Sequence, residues 1–214
     1  MGRKTYESLP KHLRPLRKRI NVVVSRDAGG SVAGSVKRDL EVREEMEKAK
    51  RKENSAASAA AVQEEPVTDG FVSSGLEDAL EVLDRVYTVR EDKSGSGRLG
   101  NIFIIGGGEI YASSLRLGAQ WGRNLRIVMT VVRNRAADER PETDSNADVL
   151  YGRAGDSAFE CDTFFPLHSH ELTPEHGWRQ ASADEVSEWV GEGIISEWKA
   201  ENNVSIRVVG FERL

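Results

Sequence analysis

The sequence predicts an α/β fold, with helices packed on a sheet and an antiparallel hairpin near the carboxyl end. Three stretches lead to that reading. Residues 102–105, Ile-Phe-Ile-Ile, form a short apolar run of β-branched and aromatic residues, the pattern of a strand covered on both faces. Residues 20–25, Ile-Asn-Val-Val-Val-Ser, form a second β-branched run between charged flanks. Residues 204–211, Val-Ser-Ile-Arg-Val-Val-Gly-Phe, alternate as a half-buried strand does.

The run at 102–105 leads directly into Gly106, Gly107 and Gly108, and then into Glu109, Ile110 and Tyr111. The glycines remove every side chain at the end of the expected strand, so a ligand can approach the backbone and the N–H groups of the next helix can point at phosphate. On its own the stretch fits a tight glycine turn equally well. A Gly-x-Gly-x-x-Gly dinucleotide fingerprint fails, because Tyr111 stands where the last glycine belongs.

At 214 residues the chain can bury one sizeable core, and its net charge of -5 argues against a surface that binds nucleic acid throughout. A single cysteine, Cys161, leaves no internal disulfide framework and fits a reducing compartment. No apolar stretch approaches the length of a membrane span, and no apolar segment follows the charges at the amino end as a secretory signal requires. These observations point to a cytoplasmic protein without nucleic-acid or membrane partners, with a mitochondrial location left open because residues upstream of Met1 could carry a leader; a monomer is expected, though nothing in the sequence decides it. The histidines offer no metal pattern: His168 and His170 form a His-x-His pair without carboxylate or cysteine support at ligand spacing.

In chain order, residues 5–9 predict one helical turn stopped by Pro10, and the strand at 20–25 follows a loop at Pro15. Residues 27–66 read as an insertion. Its mixed-charge part, 37–52, carries pairs such as Glu44 with Lys48 and Glu47 with Arg51, which predicts an exposed helix between disordered flanks. Residues 71–73 read as a short strand and 76–89 as an amphipathic helix, with Ser74 and Glu77 as its capping box. A helix is expected over 109–117 and a strand over 125–132. Residues 133–158 read as a polar loop, and 178–190 as either strand or helix. The organisation expected is a single domain over 1–214 with the insertion and the loop added.

The stretches Met1-Gly-Arg-Lys-Thr5, Arg14-Pro-Leu-Arg-Lys-Arg-Ile-Asn-Val-Val-Val-Ser-Arg26, Ile104-Ile-Gly-Gly-Gly108 and Asp162-Thr-Phe-Phe-Pro166 resemble, in order, four segments of the dihydrofolate reductase family. The resemblance implies a mixed, mostly parallel central sheet flanked by helices and closed by a C-terminal antiparallel hairpin. It also implies hydride transfer from NADPH to 7,8-dihydrofolate, giving tetrahydrofolate.

Carried over residue by residue, the resemblance assigns the Gly106, Gly107, Gly108, Glu109 and Ile110 backbone to the cofactor's phosphates and nicotinamide ribose. It assigns Arg3, Lys4 and Thr5 to the phosphates, and Ser25 and Arg26 to the adenosine 2′-phosphate. A cis peptide bond between Gly106 and Gly107 is part of the family pattern. On the substrate side, Arg19 would hold the folate α-carboxylate, a charge-assisted contact. Ser8, Leu9 and Leu16 would line the aminobenzoyl pocket, with Ile105, Tyr111 and Thr130 around the pteridine.

The sequence departs from the family at its start. The family's opening strand, its loop over the nicotinamide and its helix with the proton-donating acid have no counterpart in 1–214, so no catalytic residue can be assigned. The expectation is a reductase sequence that lacks the family's N-terminal segment, with impaired activity and unpaired edges on the strand at 102–105. Two alternatives stand beside it: a non-catalytic remnant binding NADP or a partner, and a pyrimidine reductase of riboflavin synthesis.

Overall fold

The computed structural model describes residues 1–55, 68–88, 99–118, 121–134, 159–161 and 163–214. They divide into two compact units, Met1–Arg116 and Leu117–Leu214. Most of the expected polar loop at 133–158, the Ala/Ser end of the 27–66 insertion and Asp162 lie outside the described residues.

In the first unit, α1 (Arg3–Ser8) leads through a loop to β1 (Ile20–Val24). The long helix α2 (Ser31–Ser55) follows, then β2 (Asp69–Ser73), α3 (Leu76–Leu83) with a π turn at its end, and α4 (Gly108–Leu115). β1 and β2 are parallel, with Val22 opposite Phe71. Because strand side chains alternate between faces, Val23 points into a core with Tyr6, Val32 and Val36, while Ile20, Val22 and Val24 face α3. The two strands therefore lie between α1 and α2 on one side and α3 on the other.

α2 corrects the expectation for the insertion. It starts at Ser31 rather than at 37, where Asp27 accepts from the Ser31 amide at 3.1 Å and from its hydroxyl at 3.0 Å. Val32 and Val36 are buried, and Leu40 packs beside them. These three residues recur every fourth position and make an apolar stripe, so the stretch taken for a disordered flank is part of the core. The outer face behaves as expected, with Lys48 and Glu44 paired at 2.6 Å. Glu47 accepts from the Thr68 hydroxyl at 3.0 Å, and the Arg51 side chain expected to pair with it lies outside the described residues.

Two further expectations change in this unit. The N-cap of α3 is Gly75 and no Ser74/Glu77 box forms; Ser73 and Ser74 donate instead to Asp78, at 2.7 and 3.4 Å. Residues 102–105 form no strand among the described residues, and Phe103 and Ile105 are exposed. An apolar run becomes a strand only when neighbouring backbone completes its ladder, and no described strand pairs with it. The parallel sheet among the described residues accordingly consists of β1 and β2 alone.

The second unit is an antiparallel sheet in the order β3 (Arg126–Asn134), β6 (Val204–Arg213), β4 (Trp178–Gln180). β5 (Lys199–Glu201) pairs with β6 as the expected closing hairpin, turning through Asn202 at φ 54°. Between β4 and β5 lies α5 (Ala183–Val190), which resolves the strand-or-helix ambiguity at 178–190 into both. A capping box of Ser182 and Glu185 starts α5, and Gly191 in the left-handed region ends it. Val186 and Trp189 of α5 lie against Gly210, where a Cβ would stand 2.3 Å from Val186 Cγ2.

Candidate functional site

The segment at 99–105 carries no assigned helix or strand, and the three glycines then turn the chain into α4. Gly106 has φ 130° and Gly107 φ 41°, and Gly107 is the N-cap of α4, its carbonyl accepting from the Ile110 and Tyr111 amides at 3.0 Å. Both φ values lie where L side chains are strained, so glycine is needed here for conformation. The peptide bond between Gly106 and Gly107 is trans, and among the described residues the cis bond is Arg14-Pro15. The expected cis geometry is thus corrected: positive φ at two glycines reverses the chain by itself.

α1 sits directly behind this turn. The Gly2 amide donates to the Gly106 carbonyl at 3.0 Å, and a Cβ on Gly106 would lie 3.0 Å from Thr5 Oγ1. The other side of Gly107 is open, with nothing within 4 Å of where its Cβ would stand. The turn therefore offers bare backbone and a helix N-terminus on one side and is braced by Thr5 on the other. Positive charge is at hand on α1: Lys4 is exposed, and Arg3, also exposed, pairs with Glu7 at 3.0 Å.

A cavity of about 550 Å³ opens between β1, the 99–105 segment and the apolar face of α3, within the size range of small-molecule sites. Leu16, Arg19, Ile105 and Ile110 are among its lining residues. Along the β1 edge facing it, the Met1 amine donates to the Val22 carbonyl at 2.9 Å and the Val24 amide to the Met1 carbonyl at 2.8 Å. Burial holds the Met1 amine below its usual pKa. Among the described lining residues the carboxylate is Asp69, which accepts from the Tyr87 hydroxyl and the Gly70 amide, both at 2.7 Å.

A sequence model of the family described as Dihydrofolate reductase matches residues 1–63. A dihydrofolate reductase of Cryptococcus neoformans var. neoformans is 28% identical over 213 residues, covering 99% of this chain and 69% of that protein. One from Pneumocystis carinii is 30% identical over 115 residues, 54% of this chain and 37% of that protein. Over these stretches the chain is similar to dihydrofolate reductases. Among solved structures, a Schistosoma mansoni dihydrofolate reductase aligns with TM-score 0.49 and 19% identity, covering 100% of this chain and 73% of that one.

The residues that the dihydrofolate reductase resemblance singled out fall into three groups. Gly106, Gly107, Gly108, Glu109 and Ile110 meet Arg3, Lys4 and Thr5 through the contact of α1 with the glycine turn. Leu16, Arg19 and Ile105 share the cavity, with the Arg19 side chain exposed and its Nε donating to the Arg17 carbonyl at 3.0 Å. Others stand apart. Ser8 is exposed and donates to the Thr5 carbonyl, Leu9 packs on the core below α2, and Tyr111 is half-buried, its hydroxyl pKa raised by burial. Ser25 and exposed Arg26 follow β1, the Ser25 hydroxyl accepting from the Asp27 amide at 3.2 Å. Thr130 lies on an exposed position of β3 in the second unit.

Sequence reasoning missed Asp39, Arg43 and Glu47 on α2. The Tyr6 hydroxyl donates to Asp39, Arg43 donates to the His12 and Arg14 carbonyls, and Glu47 accepts from Thr68. The signal that could have found them is their own spacing of four, alongside the Val32, Val36, Leu40 stripe.

Proposed function

We propose that this chain is the cofactor- and folate-binding part of a cytosolic, monomeric NADPH-dependent dihydrofolate reductase. What supports the reading above all is the meeting of Thr5 with Gly106: two motifs about a hundred residues apart in sequence form one braced, glycine-lined edge. Bound NADPH would supply the hydride. The backbone at Gly106, Gly107, Gly108, Glu109 and Ile110 would receive its phosphates and ribose, with Arg3 and Lys4 adding positive charge and Thr5 bracing the turn. Ser25 and Arg26 would take the 2′-phosphate, favouring NADP over NAD. On the substrate side Arg19 would hold the folate carboxylate at the cavity rim, Leu16 and Ile105 would give apolar contact, and Ser8, Leu9 and Tyr111 complete the proposed set in this unit.

Proton delivery is the step to which no described residue is assigned. Both oxygens of Asp69, the carboxylate among the described residues lining the cavity, are already engaged. The chain by itself is therefore proposed to bind both ligands and turn over slowly. The same observation favours a second reading, a non-catalytic NADP-binding protein. Titrating the purified chain with NADPH and with dihydrofolate, then following dihydrofolate-dependent NADPH oxidation, separates them. Binding of both ligands with slow turnover supports the reductase, binding of NADPH alone the second reading, and binding of neither overturns both.

A further inference from the structure

Lys18 has φ 57°, a backbone conformation that costs free energy for a side chain of its kind and persists only where the surroundings impose it. The other described non-glycine residue at positive φ, Asn202, sits in a hairpin turn where asparagine is at ease. Lys18 immediately precedes Arg19, which lines the cavity.

The constraint on Lys18 comes from α2. Its amide donates to Thr68 Oγ1 at 2.9 Å, and the Thr68 hydroxyl donates to Glu47 Oε1 at 3.0 Å, with Arg17 Nε 3.8 Å from the same oxygen. One turn earlier on α2, Arg43 Nη2 donates to the His12 carbonyl at 2.7 Å and to the Arg14 carbonyl at 3.3 Å. The far end of the segment is held by Asn21, which accepts from the Leu16 amide at 2.8 Å and donates to the Leu16 carbonyl at 2.9 Å and the Arg19 carbonyl at 3.1 Å. Residues 12–19 are thus fastened at their start and middle by a helix that the outer-face charges alone would mark as a dispensable surface arm.

We propose that α2 is a clamp on residues 12–19, with Arg43 and Glu47 as positioning residues that hold Lys18 in its left-handed conformation and so fix Arg19 at the cavity rim. The ligand half of this rests on the function proposed above, in which Arg19 binds the folate carboxylate. Neither side chain touches that ligand; both act through the backbone of the segment.

The test uses the full chain and the variants Arg43→Ala, Glu47→Ala and, on the exposed face of α2, Lys48→Ala. Amide exchange needs no ligand: Glu47→Ala should speed exchange at Lys18, and unchanged exchange would overturn the clamp. With folate, Arg43→Ala and Glu47→Ala should each raise the dissociation constant about tenfold, the size of one lost charge-assisted hydrogen bond. NADPH affinity should stay as in the parent chain, and Lys48→Ala should change neither. Adding Lys18→Asn to Glu47→Ala should recover folate affinity, since asparagine tolerates the left-handed region; a general loss of folding would not be recovered in this way. Equal losses for both ligands, or no loss, would overturn the proposal. If the parent chain bound no folate, the proposed function would fall on that result alone, whatever exchange at Lys18 showed.

Discussion

The Tyr6 hydroxyl donates to Asp39 Oδ2 at 2.9 Å, joining the helix behind the glycine turn to the helix of the insertion. Tyr6 is fully buried over Val32 and Val36, with the Arg14 guanidinium 5.6 Å from its ring centre. Burial first, and then the hydrogen bond to Asp39, hold the phenol well above its usual pKa, so it remains the donor throughout the ordinary pH range. Tyr6→Phe should lower unfolding stability by about 1 kcal/mol, the net worth of one hydrogen bond. Val36→Ala should cost on the order of 2 kcal/mol through the cavity left behind. Urea unfolding of both variants checks this, and indifference to Val36→Ala would mean that α2 is peripheral after all.

Gly106 is limited both by its φ of 130° and by Thr5. Gly106→Ala should destabilise the turn by about 1–3 kcal/mol and weaken NADPH binding more than folate binding. Calorimetric titration with each ligand separates the two effects, and unchanged NADPH affinity would remove the turn from the cofactor site.

Arg19 is exposed at the cavity rim. Arg19→Leu should raise the dissociation constant for dihydrofolate steeply, by about a hundredfold if a bidentate charge-assisted pair is lost, with NADPH affinity nearly unchanged. Equal losses in both titrations would sink the assignment.

Gly210 lies under α5, where an added methyl would meet Val186 at 2.3 Å. Gly210→Ala should cost about 1–3 kcal/mol from overpacking. The double variant Gly210→Ala/Val186→Ala should recover part of that in thermal unfolding, because the colliding atom is then gone.

The second unit should lose stability in acid. Glu212 joins β3 to β4 by accepting from Arg126 at 2.9 Å and from Arg179, which also donates to Glu185 at 2.7 Å. The Arg126 hydrogen bond holds Glu212 below the usual carboxylate range, and the Arg179 hydrogen bond brings Glu185 down to about 2. Both shifts are downward, so the unfolded chain binds more protons than the folded one as pH falls below 4.5, the ordinary value of both groups. Their contribution is complete above that value and fades as pH falls toward about 2. Thermal midpoints between pH 6 and 2 should decline, and less steeply in Glu212→Gln, with the conditions set by the usual carboxylate titration range; parallel slopes would remove Glu212 from the account.

Much of this was legible in residue order alone. The β-branched run at 20–24, the alternation at 204–213 and the glycine triplet before α4 are local patterns whose period or backbone freedom dictates the element, and the motifs pointed to the dihydrofolate reductase resemblance before any coordinate did. The sequence by itself also determined which side chains carry charge near the site. Only the tertiary structure decided three matters. It left residues 102–105 outside any strand, because a ladder needs a neighbour that no local pattern supplies. It drew Val32 and Val36 into the core, because two valines mark a buried face only once Tyr6 and Val23 stand opposite. And it placed Glu47 beneath Lys18 by way of Thr68: contacts across tens of residues depend on where helices and strands pack, and charge spacing along one helix cannot say which of its faces meets the rest of the chain.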